Sequence, residues 1–194
     1  MGSNTKKAKA YQDQYIKGAK WARFTMWRQK GIIQNFVDHC QINKGDTVLD
    51  IPCGTGYIGK ILSACEGEVF ASDISMEMMD LAIGEYSQSN LAGFVQSDIT
   101  EIPFPDAIFR SVIVLALMHR LPSEIRARVL SEINRVSSKY VIISYSVESF
   151  NQKVKQWLLL KIKGSYIPAP SSIPLDVMRE ELAAAGFIIV KMKY

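Results

Sequence analysis

The sequence predicts an α/β fold, a doubly wound and mostly parallel sheet of about six strands with helices on both faces. Three observations predict it. Short β-branched runs recur at Thr47–Ile51, Glu68–Ser72, Phe94–Gln96, Ser111–Leu115, Tyr140–Ser144 and Phe187–Met192. Between them lie stretches of helical periodicity, at Tyr57–Cys65, Met76–Tyr86, Ser123–Val136 and Leu175–Ala185. Strand–helix alternation at this spacing makes right-handed βαβ units, whose helices cover both faces of a parallel sheet.

Each element has a local reason. The 194 residues are 48% apolar and 22% charged, which is one domain with enough apolar surface for a core. Tyr57–Cys65 follows a glycine-rich turn. Met76–Tyr86 opens after Ser75, an N-cap whose third following residue is Met78 rather than the Glu or Gln of a capping box. Ser123–Val136 carries Ile125, Val129, Leu130 and Ile133 on one face, with Arg and Glu elsewhere. Leu175–Ala185 ends at Gly186, suited to the C′ position. The composition excludes a disordered, collagen-like or disulfide-built chain.

Three cysteines (Cys40, Cys53, Cys65) form no CxxC pair, which fits a reduced compartment and gives neither a disulfide framework nor a zinc site. No metal is expected. No apolar run approaches the roughly 20 residues that span a bilayer, and MGSNTKKAKA lacks the apolar stretch of a secretory signal. The expected location is cytoplasmic. Charge is unevenly placed: residues 1–47 hold nine Lys/Arg against three Asp, while the remainder sums to −2.

In such sheets ligands sit beyond the carboxyl ends of the strands, near the point where strand order reverses. The segment VLDIPCGTGYIG (Val48–Gly59) places Asp50 at the end of a strand, before the turn Cys53-Gly54-Thr55-Gly56. Glycines there let the backbone turn sharply and bring N–H groups against a ligand. Alone, Gly54-Thr-Gly56-Tyr-Ile-Gly59 matches the dinucleotide pattern GxGxxG weakly. A carboxylate at Asp50 opposes that reading. At about 4 Å and an effective dielectric near 20, it would repel a pyrophosphate by about 4 kcal/mol. The ligand inferred is an adenosine-like body with a positive amino-acid end and no phosphates. Asp73, at the end of the second strand, stands where an acid accepts ribose hydroxyls, and Asp98 ends the third strand near an adenine amino group.

These residues resemble the class I S-adenosylmethionine-dependent methyltransferases. The matching stretches are VLDIPCGTG, ASDIS with MEMMDLA, VQSDITEIPFPD and VIVLALMHRLP, within roughly Asp46–Gly186. The resemblance implies the Rossmann-like fold of that family, with S-adenosylmethionine as cofactor and S-adenosylhomocysteine as product. It implies that Asp50 and the amides around Cys53, Gly54, Thr55 and Gly56 hold the methionine end. Asp73 would take the ribose, Ile74 and Met78 the adenine face, Asp98 and Ile99 the adenine edge, and Leu115 and Ala116 the pocket floor. The chain departs from the family pattern at Pro52, where a glycine is usual, and at Arg110, where Asp is frequent. The family's seventh, antiparallel strand is also missing, so a homodimer or partner chain at the last strand is the alternative.

Residues 1–44 then read as a helical cap, 45–146 as the cofactor-binding core, 147–174 as a substrate-side insertion, and 175–194 as the last helix and strand. Tyr11 or Tyr15 in the cap would line the cofactor site. His119, just after the fourth strand, is the candidate base, and Tyr145 is placed to orient an acceptor. Cys53 reads as a small residue beside a close backbone approach rather than a nucleophile. Trp157 and its neighbouring leucines, between lysines in 150–165, suit either core packing or a peripheral membrane contact. The function expected is methyl transfer to a small-molecule or lipid-like acceptor. Nucleic acid is not the expected partner, because no recognisable RNA module accompanies the basic and aromatic residues of the cap. A non-catalytic cofactor-binding subunit and an NAD(P)-dependent oxidoreductase are the alternatives.

Overall fold

A computed structural model of the chain describes residues 20–88, 90–147 and 172–193, with the side chains of the first helix described from residue 27 onward. Tyr11, Tyr15 and the segment 150–165 lie outside the described residues. In chain order the elements are α1 (Lys20–His39), β1 (Thr47–Asp50), α2 (Gly59–Leu62), β2 (Glu68–Asp73), α3 (Met76–Ala82), β3 (Leu91–Gln96), β4 (Phe109–Val114), α4 (Ser123–Val136), β5 (Ser137–Ile143) and α5 (Leu175–Ala184). The strands form one parallel sheet in the order β3-β2-β1-β4-β5.

Strand alternation builds the two layers. Val48, Val69, Ala71 and Ile113 face a core completed by Val37 of α1, Leu62 of α2, and Met79 and Ala82 of α3. Their neighbours Leu49, Val112 and Val114 face the opposite core, with Val129, Leu130 and Ile133 of α4 and Met178 and Leu182 of α5. Both faces of the sheet are therefore dry, as a parallel sheet requires. The order reverses between β1 and β4, with Asp50 in register with Ala71 on one side and Ile113 on the other. That reversal sets the crevice at the carboxyl end of β1.

Several elements differ from the sequence expectation; the helix expected over Met76–Tyr86 is α-helical only over Met76–Ala82, and β3 and β5 each begin three residues earlier than expected. The helix expected over Tyr57–Cys65 is regular only over Gly59–Leu62, because short-range turns tighten both ends. Gly59 N–H donates to Gly56 O at 3.0 Å and Ile61 N–H to Ile58 O at 2.9 Å, while Ala64 and Cys65 repeat that spacing further on. Among the described residues the sheet has five strands rather than six, since Phe187–Met192 forms no strand. Gly186, at φ +85°, closes α5, and Phe187 N–H donates back to Leu182 O at 2.9 Å. The chain then runs along α1, where Lys191 Nζ donates to Asn35 Oδ1 at 2.9 Å and lies 5.2 Å over the Phe36 ring. Phe187 and Met192 pack against the core, whereas Ile188 and Val190 stay 87% and 71% exposed. The apolar side chains thus find burial without a hydrogen-bonded ladder, and among the described strands β5 pairs with β4 alone.

Candidate cofactor site

The glycine turn after β1 is shaped by two neighbours. Gly54 and Gly56 sit at φ +55° and +77°, in the left-handed region. A Cβ on Gly56 would meet Glu85 Cβ at 2.7 Å, and one on Gly59 would meet Glu85 O at 2.6 Å, so these two glycines are required by the close approach of residues 82–85. Gly54 differs. A Cβ there meets nothing within 4 Å, and its N–H donates to Asp73 Oδ2 at 2.8 Å. Among the described residues nothing fills the space beside Gly54.

Asp73 ties that turn to α3. Its Oδ1 accepts from Ser75 N–H at 2.9 Å, while Ser75 Oγ accepts from Met78 N–H at 3.3 Å and caps the helix. Each Asp73 oxygen accepts one amide and retains a second lone pair, which leaves acceptor capacity for hydroxyl groups. Ile74, the next residue, is 65% exposed and its carbonyl accepts from Gln96 Nε2 at 2.9 Å. Met78 is half-buried beside it. An exposed isoleucine anchored beside a buried acid suits the flat apolar face of a nucleobase.

Asp50 lies beneath the turn rather than at its mouth. It is 2% exposed, and its Oδ2 accepts from the Tyr86 hydroxyl at 2.5 Å. Burial pushes its carboxyl up to about 7, opposed by the Tyr86 hydrogen bond and reinforced by the nearby charge of Asp73. The same burial, with Asp50 close by, raises the Tyr86 phenol. Burial, Asp50 and Asp73 together raise the Cys53 thiol, so Cys53 stays protonated and is no nucleophile. Tyr86 was not found by sequence reasoning. It follows the last helical turn, 36 residues from Asp50, and no periodicity or motif marks it.

The other candidates are more dispersed. Asp98 is exposed and closes an Asx-type turn, its Oδ1 accepting from Thr100 N–H and Oγ1 at 2.8 Å; these bonds hold its carboxyl below the usual range. Ile99 packs against the core on the α4 face. Leu115 packs on the α1 face, and Ala116, exposed at φ +55°, donates its N–H to Ser144 Oγ at 2.7 Å. His119 lies in a short turn after β4, half-buried, and burial and then Arg120 lower its pKa. Tyr145 stands beyond β5 with its hydroxyl buried and without a hydrogen-bond partner among the described residues. It lies close to the Arg126–Glu181 pair, whose carboxylate raises the phenol's pKa after burial. The structure thus gathers Asp50, Gly54, Asp73 and Ile74 around one turn, and leaves Asp98 at the rim. Among the described residues no cluster of His, Cys, Asp and Glu has metal-binding geometry.

A parallel sheet in this order, with an acid closing each of its first two strands and a glycine turn after the first, is a Rossmann-like fold. Residues 48–139 match the methyltransferase-domain family. That match spans 92 of the 194 residues, and over them the chain is similar to a methyltransferase domain. A demethylmenaquinone methyltransferase of Staphylococcus carnosus is 32% identical over 116 residues, covering 57% of this chain and 44% of that protein. An rRNA adenine N-6-methyltransferase of Bacillus licheniformis is 25% identical over 146 residues, covering 74% and 48%. The chain thus spans less than half the length of these curated relatives. The crystal structure of magnesium protoporphyrin IX methyltransferase from Synechocystis, with bound SAH, superposes with a TM-score of 0.70 at 21% identity, covering 84% of this chain and 74% of that one. This last likeness is one of fold.

Proposed function

We propose that the domain transfers the methyl group of S-adenosylmethionine to a small-molecule or lipid-like acceptor, releasing S-adenosylhomocysteine. The observation that carries the reading is the Gly54 turn. Asp73 holds its amide, its Cβ direction is open, and the exposed Ile74 stands beside it. Gly54 and Thr55 would receive the methionine end, with Asp50 as the buried charge beneath. Asp73 would accept the ribose hydroxyls, Ile74 and Met78 would cover the adenine, and Asp98 and Ile99 would meet its edge. When bound, the cofactor supplies an electrophilic sulfonium methyl. The protein's part is to align the acceptor and exclude water, effects worth up to about 7–11 kcal/mol when alignment is good. His119, whose pKa burial lowers, takes a proton from the acceptor. The buried Tyr145 hydroxyl orients it.

The domain roles follow: residues 1–44 cap the site and 147–174 face the acceptor. The relative named for demethylmenaquinone supports a lipid-like acceptor, and the relative named for rRNA supplies the competing class. Calorimetry with S-adenosylhomocysteine and with NAD tests the cofactor, and tight NAD binding with no S-adenosylhomocysteine binding overturns it. Labelled methyl transfer to a demethylmenaquinol and to rRNA then tests the acceptor. A second reading rests on β5, which pairs with β4 alone among the described strands: a cofactor-binding subunit whose sheet a partner chain completes. A monomer in sedimentation that turns over cofactor excludes that reading.

A further inference from the structure

We infer that the groove between α1 and the C-terminal segment is a docking surface for an anionic lipid bilayer. The groove holds about 220 Å³ and is lined by Trp27, Arg28, Ile32, Asn35, Phe36 and Lys193 among others, with no carboxylate among the described residues of its walls. Trp27 is 73% exposed, far more than a tryptophan that merely packs its helix onto the sheet. Val190 and Ile188 are exposed just before Lys191, the residue that ties this segment to α1. The helix carries four Lys/Arg against one Asp, and the segment 187–193 adds Lys191 and Lys193 with no acid. Asp38, the one acid of α1, follows the lining residue Phe36 by two positions and accepts from Gln34 Nε2 at 2.8 Å.

An aromatic at the water–lipid boundary, aliphatic side chains beside it and cations flanking both are what a bilayer interface accommodates. A nucleic acid would gain from the cations and from Trp27 but has no use for exposed Ile188 and Val190. The location adds a consequence. Lys30, one turn beyond Trp27, lies 5.0 Å over the Tyr57 ring, and Tyr57 directly follows the glycine turn. Docking through this groove would bring the mouth of the cofactor site to the lipid surface. That consequence, unlike the docking itself, rests on the lipid-like acceptor proposed above.

The test is sedimentation of the full chain with phosphatidylcholine vesicles, with and without phosphatidylglycerol, at low and high salt. Binding is expected only with phosphatidylglycerol, and weaker at high salt. Each cation near the surface contributes about 1 kcal/mol, or about fivefold, so Arg28→Ala with Lys193→Ala should weaken partitioning about 25-fold. Trp27→Ser with Val190→Ser should abolish it while the thermal transition is retained. In the unsubstituted protein, vesicles should shift tryptophan emission to the blue, and Trp27→Phe should remove most of that shift. Equal binding to neutral vesicles overturns the proposal. So does undiminished binding by both double variants, or binding lost only on Trp157→Ser with Leu159→Ser, which would place the contact in 150–165. Binding to single-stranded RNA with none to vesicles also overturns it. Because these readouts need no cofactor, their failure is separable from failure of the methyltransferase reading.

Discussion

Replacing Tyr86 by phenylalanine isolates one buried proton. The ring is retained, with its edge-to-face contact on Phe94 at 5.6 Å, and only the hydroxyl that donates to Asp50 at 2.5 Å is lost. Asp50 is 2% exposed and titrates near 7 instead of the usual 3.8. A folded-state pKa raised above the unfolded one means that the folded chain binds the extra proton. Asp50's contribution to stability is therefore full below about pH 4 and is lost as pH rises through 7. The difference of about 3 units corresponds to about 4 kcal/mol. The Tyr86 bond favours the ionised carboxylate, and a hydrogen bond to a charged group contributes about 1.5–3 kcal/mol. Tyr86→Phe should therefore cost about that much at pH 9, where Asp50 is ionised, and markedly less at pH 5, where it is protonated in the folded chain. For a chain of this length the loss at pH 9 is a fall of about 3–12 °C in melting temperature. Thermal denaturation of both proteins between pH 5 and 9 measures it, and carboxyl carbon NMR of Asp50 should show its midpoint moving up by about 1–2 units. Equal destabilisation at both ends of the range would refute the reasoning, because the hydroxyl would then be holding the ring and not the charge.

Other substitutions separate roles that the sequence pattern runs together. Gly54→Ala should cost about 1 kcal/mol through its left-handed backbone but weaken S-adenosylhomocysteine binding by tenfold or more in calorimetry. Gly56→Ala, whose Cβ would meet Glu85 at 2.7 Å, should instead lower the melting temperature first. Glu181→Gln strips the partner from Arg126, a buried guanidinium that also donates to Leu121 O at 2.7 Å, and should cost about 3–5 kcal/mol in urea denaturation. Cys53, buried with a raised thiol pKa, should resist iodoacetamide at pH 8 in the folded protein and react once denatured, as mass spectrometry of the alkylated peptides will show. His119→Ala should slow methyl transfer at least tenfold and flatten the acid limb of the pH–rate profile, and an unchanged profile would remove the base from the mechanism.

How much of this was legible in the chain depends on the range of the interaction that decides it. The α4 helix was readable to its ends, Ser123 and Val136, because its apolar stripe alone determines which face is buried; Val129, Leu130 and Ile133 are fully enclosed. The acids after β1 and β2 were readable because a strand end and a glycine turn are local patterns. The sixth strand was not. Alternation in Phe187–Met192 records a wish for burial, which Phe187 and Met192 satisfy against the core, but a strand also needs a ladder partner in register, and no local pattern encodes one. Arg110 makes the same point in reverse. It departs from the family's usual acid, yet its guanidinium meets Asp46 at 3.2 Å and Cys40 O at 3.4 Å, pinning the start of β4 to the turn before β1.

The charge state of Asp50 is where local reading and tertiary structure diverge most. A sequence gives a carboxylate at the glycine turn and invites a Coulomb argument at full charge. Tertiary burial converts it into an acid poised near neutrality, with Tyr86 and Asp73 pulling in opposite directions. The argument against a pyrophosphate then changes form. A phosphate near the turn would raise Asp50 further and be met by a neutral acid, so repulsion alone would exclude it only weakly. A cationic methionine end would lower Asp50 and draw out its proton. Cofactor binding at pH 6 should therefore release a fraction of a proton that vanishes above pH 8, visible as buffer-dependent binding enthalpy. A binding enthalpy independent of the buffer across that range would mean that Asp50 never senses the ligand.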